Sequence, residues 1–127
     1  MALNVSRNVI SDVLVLQVQG VGSGVEAATR FRDAARQGLD EGHRKIVLDF
    51  AQLTYQDSMF LGTLVETYAA LKNMKGNLAI VNVSQRTMDL FKVTRLESCF
   101  QFFDTLSEGL EHFGAPQART ATPTPEK

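Results

Sequence analysis

Asp57 and Ser58, within the stretch LTYQDSMFLG, are the residues of this 127-residue chain whose types and placement most invite chemistry. They stand between an apolar run, KIVLDF, and a long helical pattern, so a carboxylate and a hydroxyl lie side by side where a core strand ends. Such a pair has two uses. Either side chain can cap a helix by accepting hydrogen bonds from backbone N–H groups left free in the first turn, an interaction worth about 1 kcal/mol. Alternatively, Ser58 is a switch displayed to a partner.

Catalytic uses find no support in the remaining residues. A nucleophilic serine needs a histidine base, and no Gly-x-Ser-x-Gly elbow surrounds Ser58. His43 and His112 are the only histidines, with no second histidine or cysteine at ligand spacing, which argues against zinc. GVGSGVE has neither the lysine of a phosphate-binding P-loop nor the full dinucleotide fingerprint, and reads as a loose turn into a helix. Asp49 could in principle pair with Asp57, but its place inside IVLDF suits a capping or hydrogen-bonding role. No enzymatic activity, cofactor or metal is expected. Cys99, the only cysteine, excludes a disulfide within the chain and reads as a small core or near-core residue.

The composition sets wider limits. A hydrophobic fraction of 44% and a charged fraction of 21% are those of a globular domain, and the length suits one domain. A net charge of −1 offers no basic face for nucleic acid. No run approaches the roughly 20 apolar residues that cross a bilayer, and MALNVSRNVI lacks the pattern of a secretion signal. A cytoplasmic protein without membrane insertion is the expectation.

The elements that must position the pair follow from hydrophobic periodicity. DVLVLQVQG alternates, with Leu14, Leu16 and Val18 on one face and Val13, Val15, Gln17 and Gln19 on the other, and LNVSRNVI pairs with it as a hairpin near a sheet edge. Ser23 and Glu26 fit a capping box for a first helix whose Val25, Ala28, Phe31, Ala35 and Leu39 share a face, closed by Gly42. RKIVLDF reads as a strand covered on both faces. Beyond Ser58, Leu61, Leu64, Val65, Tyr68 and Leu71 form an apolar stripe, with Thr63, Glu66 and Asn73 on or near the polar side and Lys75-Gly76 at the end. NLAIVNV is a strand, SQRTMDLFKV a short helix turned inward through Met88 and Phe91, and FQFF a last strand. DTLSEGLEHF is a closing helix with Thr105 and Glu108 as a second capping box and Leu106, Leu110 and Phe113 inward. This alternation calls for an α/β fold: a mixed, mostly parallel sheet of about five strands with about four helices packed on it. Residues 1–113 are expected to form one domain, and the proline-containing tail 114–127 to be disordered.

The run KIVLDFAQLTYQDSMFLGTLVETYAAL resembles the STAS domain (sulphate transporter and anti-sigma factor antagonist). That pattern is an apolar strand ending in Asp, then Asp-Ser-Ser-Gly-Leu-Gly and an apolar helix. Asp49, Asp57-Ser58 and Leu61-Gly62 match it, and the likeness continues through GNLAIVNVSQRTMDLFKVTRLESCFQFFDTLSEGL, covering roughly residues 3 to 113. The resemblance implies an anti-sigma factor antagonist. Its Ser58 would be phosphorylated by a partner that is both anti-sigma factor and serine kinase, and reset by a phosphatase. Unmodified, it would bind that partner through a surface of Asp57, Ser58, Met59, Phe60 and Gly62; phosphorylated, it would let go. The expected fold is STAS-like, and a homodimer is compatible with it. The sequence departs from the pattern at Met59, where a second small residue is usual, at Phe60, where glycine is usual, and at Arg95, often glycine. Met59 is expected to be exposed, and Phe60 either an exposed knob or part of the core. The alternative function is a non-switching STAS interaction module, a scaffold or transport-accessory subunit, with Ser58 as a helix cap.

Overall fold

Hydrophobic runs and left-handed helix ends set out the order of elements in the computed structural model, which describes residues 2–114. The chain runs β1 (Leu3–Ile10), β2 (Val13–Gly22), α1 (Gly24–Asp40), β3 (Lys45–Asp49), β4 (Leu53–Gln56), α2 (Ser58–Asn73), β5 (Asn77–Val81) and α3 (Gln85–Val93), then a 3-10 turn (Glu97–Cys99), β6 (Gln101–Phe103) and α4 (Leu106–His112). The strands form one sheet in the order β1-β2-β3-β5-β6, with β4 beside β2. β1 and β2 are antiparallel, pairing Leu3 with Gly20 through to Ile10 with Val13; every other pairing is parallel. The expected α/β class, hairpin and mostly parallel sheet are all present.

β4 is a sixth strand where the sequence reading placed only a connection. LTYQ buries its two ends and exposes its middle, so period-two alternation has too few residues to register. Phe50 N–H bonds to Val81 and Leu53 N–H to Phe50, a tight turn that sends the chain from β3 to the far half of β2. The pairing shifts register between Gly20 and Val21.

Both faces of the sheet are covered, unequally. Leu14, Leu16, Val18, Ile46, Leu48, Leu78 and Ile80 face one core with Phe31, Phe60, Leu64 and Phe91 of α1, α2 and α3. On the other face Val13, Val15, Val47, Ala79 and Val81 pack against Leu110 of α4, with Leu106 and Phe113 partly buried beside it. Gly109 lets α4 come close, since a Cβ there would stand 2.7 Å from Val81 Cγ1. Cys99 packs partly buried against the larger core, as its neighbours suggested. Asp49 is buried and takes the hydrogen-bonding role: its Oδ1 accepts from Ala51 N at 3.0 Å and Asn82 Nδ2 at 2.9 Å.

Several side chains differ from their expected places. Val25 is 69% exposed, and the inward face of α1 is Ala27, Ala28, Phe31, Ala35 and Gly38. Thr63, read as polar and outward, is buried along with Thr67. Each satisfies its hydroxyl within its own helix, Thr63 to Phe60 O at 2.6 Å and Thr67 to Thr63 O at 2.9 Å. Val65 of the expected stripe is exposed. Ser23 occupies the N-cap of α1 without a side-chain bond to it, so no capping box forms there, and Glu26 pairs instead with Arg30. The second box is half formed. Thr105 Oγ1 accepts from Glu108 N at 3.1 Å, but the Glu108 carboxylate reaches back to Asp104 N.

Each of the four helices ends with a residue at positive φ just past its cap: Gly42, Lys75, Arg95 and Gly114, with φ of 99°, 64°, 63° and 80°. After α1, α2 and α3 the paired bonds of a Schellman motif close the turn, as in Gly42 N to Leu39 O with His43 N to Gly38 O, and Arg95 N to Lys92 O with Leu96 N to Phe91 O. Glycine enters this conformation freely, whereas an L side chain costs about 1–2 kcal/mol there. Arg95, where the STAS pattern often carries glycine, therefore sits in a position that favours glycine. Arg95→Gly is expected to raise the unfolding free energy by about 0.5–1 kcal/mol in urea titration, because released strain exceeds the added unfolded-state entropy.

Candidate functional site

The Asp-Ser pair lies where the N-termini of α1 and α2 meet. Asp57 N–H bonds to Gly22 O at 3.0 Å, so the end of β2 and the end of β4 are tied together just before both helices begin. Asp57 has extended backbone angles and is the N-cap of α2. Its Oδ1 accepts from Phe60 N at 3.0 Å. Its Oδ2 accepts from Gly24 N, the first residue of α1, also at 3.0 Å. One carboxylate thus satisfies a free donor at the head of each helix, and the positive ends of two helix dipoles converge on it. Asp57 is accordingly held below the ordinary carboxylate range, mainly by the Phe60 N–H; partial burial opposes this, and the Gly24 N–H adds to it.

Because Asp57 is the cap, Ser58 is not. Ser58 is the first residue of α2, it is exposed, and its hydroxyl has no hydrogen-bond partner among the described residues. The expectation of the alternative reading, that Ser58 serves as a helix cap, is corrected by this geometry. Met59 is 47% exposed beside it, as expected. Gly62, one turn further along, is also exposed, and a Cβ added there would meet no atom within 4 Å.

Phe60 leaves the candidate surface. It is fully buried, its ring 5.3 Å from that of Phe31 and 6.3 Å from that of Phe50. A Cβ on Gly22 would stand 3.2 Å from the Phe60 ring, so the end of β2 lies directly on it. Its place in the expected docking set is therefore withdrawn: the side chain points down from α2, where it anchors the turn from beneath. The sequence had no signal for the Asp57–Gly24 bond, whose partners lie 33 residues apart.

The STAS domain profile matches residues 4–109. The chain belongs to the STAS domain family. A candidate anti-sigma factor antagonist of Thermotoga neapolitana is 27% identical over 104 residues, 81% of this chain and 91% of the relative. Among solved structures, an anti-sigma factor antagonist from Mycobacterium paratuberculosis superposes with a TM-score of 0.78 at 21% identity, covering 87% of this chain and 93% of that one. The Bacillus cell fate determinant SpoIIAA in its phosphorylated form has the same fold, with a TM-score of 0.68 at 18% identity over 88% of this chain and 99% of that one. The protein is thus an anti-sigma factor antagonist-like STAS domain.

Asp57→Ala removes both helix-head contacts and is expected to lower the unfolding free energy by about 1–2 kcal/mol in urea titration. The native carboxyl is depressed, so its stabilisation is full above the unfolded value of about 4 and is lost as pH falls through the lower native value. The stability difference between wild type and Asp57→Asn should therefore shrink as pH falls below about 4, measured by urea titrations across the acid limb.

Proposed function

We propose that this protein is a cytoplasmic partner-switching regulator whose α2 turn binds an anti-sigma factor that is also a serine kinase. Phosphorylation of Ser58 by that partner ends the complex, and a phosphatase restores it. The observation that carries this reading is the free Ser58 hydroxyl: exposed, at a helix start, and released from structural duty because Asp57 does the capping.

The electrostatics favour a switch that acts on binding and leaves the fold alone. A phosphate at the first position of α2 lies at the positive end of the helix dipole, where anions are tolerated. It brings a charge of about −1.5 to −2 next to the ionised Asp57. In water that repulsion is screened; inside a docked interface it is not, and the complex dissociates. In keeping with this, the chain superposes on SpoIIAA about equally in its unphosphorylated and phosphorylated forms, with TM-scores of 0.67 and 0.68.

Gly62 adds a second support. Glycine in a helix interior costs about 1 kcal/mol relative to alanine, and here no neighbouring atom demands it. A close approach by a partner backbone along the exposed face Ser58, Met59 and Gly62 gives it a purpose. The constitutive-module reading keeps one argument, the exposed Met59 where the STAS pattern has a small residue, since an apolar contact of that kind holds a partner regardless of charge.

The test is a pull-down with wild type, Ser58→Ala and Ser58→Glu as baits. An ATPase-type kinase retained by wild type and by Ser58→Ala but not by Ser58→Glu is the expected result; equal recovery on all three baits favours the constitutive module. Gly62→Ala is expected to stabilise the fold by about 1 kcal/mol in urea. Gly62→Gln should weaken capture of the same kinase at unchanged helicity, read by circular dichroism alongside the pull-down.

A further inference from the structure

Two residues before Ser58, Gln56 is only 4% exposed, yet its side-chain amide is half satisfied. Oε1 accepts from the Thr87 hydroxyl at 2.9 Å, and Thr87 Oγ1 accepts in turn from Ser84 Oγ at 3.1 Å. Nε2 carries two N–H donors and has no hydrogen-bond partner among the described residues. Native folds leave few buried donors in this state, and each one calls for a reason.

Gln56 lines a groove of about 380 Å³ between β4 and α3, whose other lining residues are Tyr55, Leu90, Val93, Arg86 and Asp89. Val93 is 79% exposed and Tyr55 47%, two uncovered apolar side chains lining the same groove as the buried donor. Asp89 is engaged by Gln85 Nε2 at 2.8 Å, while Arg86 has no ion-pair partner among the described residues. β4 itself is hydrogen-bonded on one side only, to β2. A free anion would satisfy Arg86 and Gln56 but stand against Asp89 and leave the apolar walls bare. A small apolar molecule would cover the walls and leave Gln56 unsatisfied. An extended peptide meets every demand, because it offers neutral carbonyl acceptors at each residue and an apolar side chain between them.

We propose that the β4–α3 groove is a peptide-docking site, in which an extended segment of a partner protein seats one apolar side chain among Tyr55, Leu90 and Val93. A main-chain carbonyl of that segment accepts from Gln56 Nε2, and a second acceptor takes Arg86. The site goes beyond the switch at Ser58 and requires that residue neither free nor modified.

The probe is a synthetic heptapeptide selected from a random phage-displayed library panned on the full-length protein. The expected result is that it shifts the Gln56 side-chain amide and the Leu90 and Val93 signals in two-dimensional NMR spectra. Gln56→Leu and Val93→Ser should each weaken it at least tenfold, and Ser58→Glu should leave its affinity unchanged. Val93→Ser alters an exposed position, so its effect is free of any folding defect in Gln56→Leu. The proposal is overturned if panning enriches no sequence, if the selected peptide shifts signals elsewhere, such as the cleft between α1 and α2, or if both groove variants bind it as wild type does. Because Ser58 is read separately, failure of the switch leaves this result standing, and the reverse holds as well.

Discussion

The Asp57 carboxylate is the constraint on which the rest of the site depends. Two helices that begin 34 residues apart, at Gly24 and Ser58, must each find an acceptor for donors that no intrahelical carbonyl can serve. A single side chain provides one to each, at 3.0 Å in both cases. The arrangement holds only if the ends of β2 and β4 lie side by side, which the parallel pairing of Gly22 with Gln56 secures. Phe60 fixes the same corner from below by packing on Phe31 and Phe50. Clamped above and below, the first turn of α2 presents Ser58 in a defined position without using its hydroxyl.

That division of labour makes sense of the departures from the STAS pattern. Replacing small residues by Met59 and Phe60 gives the turn one apolar group outward and one inward. The inward ring adds to the larger core; the outward thioether changes the chemistry of the surface beside Ser58. Arg95 is a different case. Its left-handed conformation is imposed by the closing turn of α3, and the chain tolerates an arginine there at some expense of stability.

Much of this was legible in the sequence, because the long elements carry strong periodic signals. α1, α2, β2, β3 and β5 read directly from their apolar spacing, and Gly42 marked its turn because glycine is the residue such a turn favours. What escaped was short or non-local. β4 has four residues and pairs with a strand more than thirty positions earlier. Ser23 has the residue type of a cap but makes no side-chain bond to α1, and the head of that helix is served instead at Gly24 N–H by Asp57, a partner only the fold brings near. Thr63 and Thr67 are polar by type and buried in fact, since a hydroxyl bonded to the preceding turn of its own helix no longer needs water. The half-satisfied amide of Gln56 was equally invisible, because only packing reveals which of its atoms is left over.

The unequal cover of the sheet has a consequence for how the molecule comes apart. On the side of Ser58 three helices share the larger core; on the opposite side a seven-residue helix shields a patch made mostly of valine. α4 covers the smaller core with only Gly109 and Leu110 fully buried, and local opening is expected to begin at so short an element near the end of the fold. Its detachment would bare an apolar sheet face prone to association, while the turn bearing Ser58 stayed assembled on the far side. The Ser58 turn and the smaller apolar patch therefore lie on opposite faces of one sheet, and substitutions can loosen α4 without touching the clamp at Asp57.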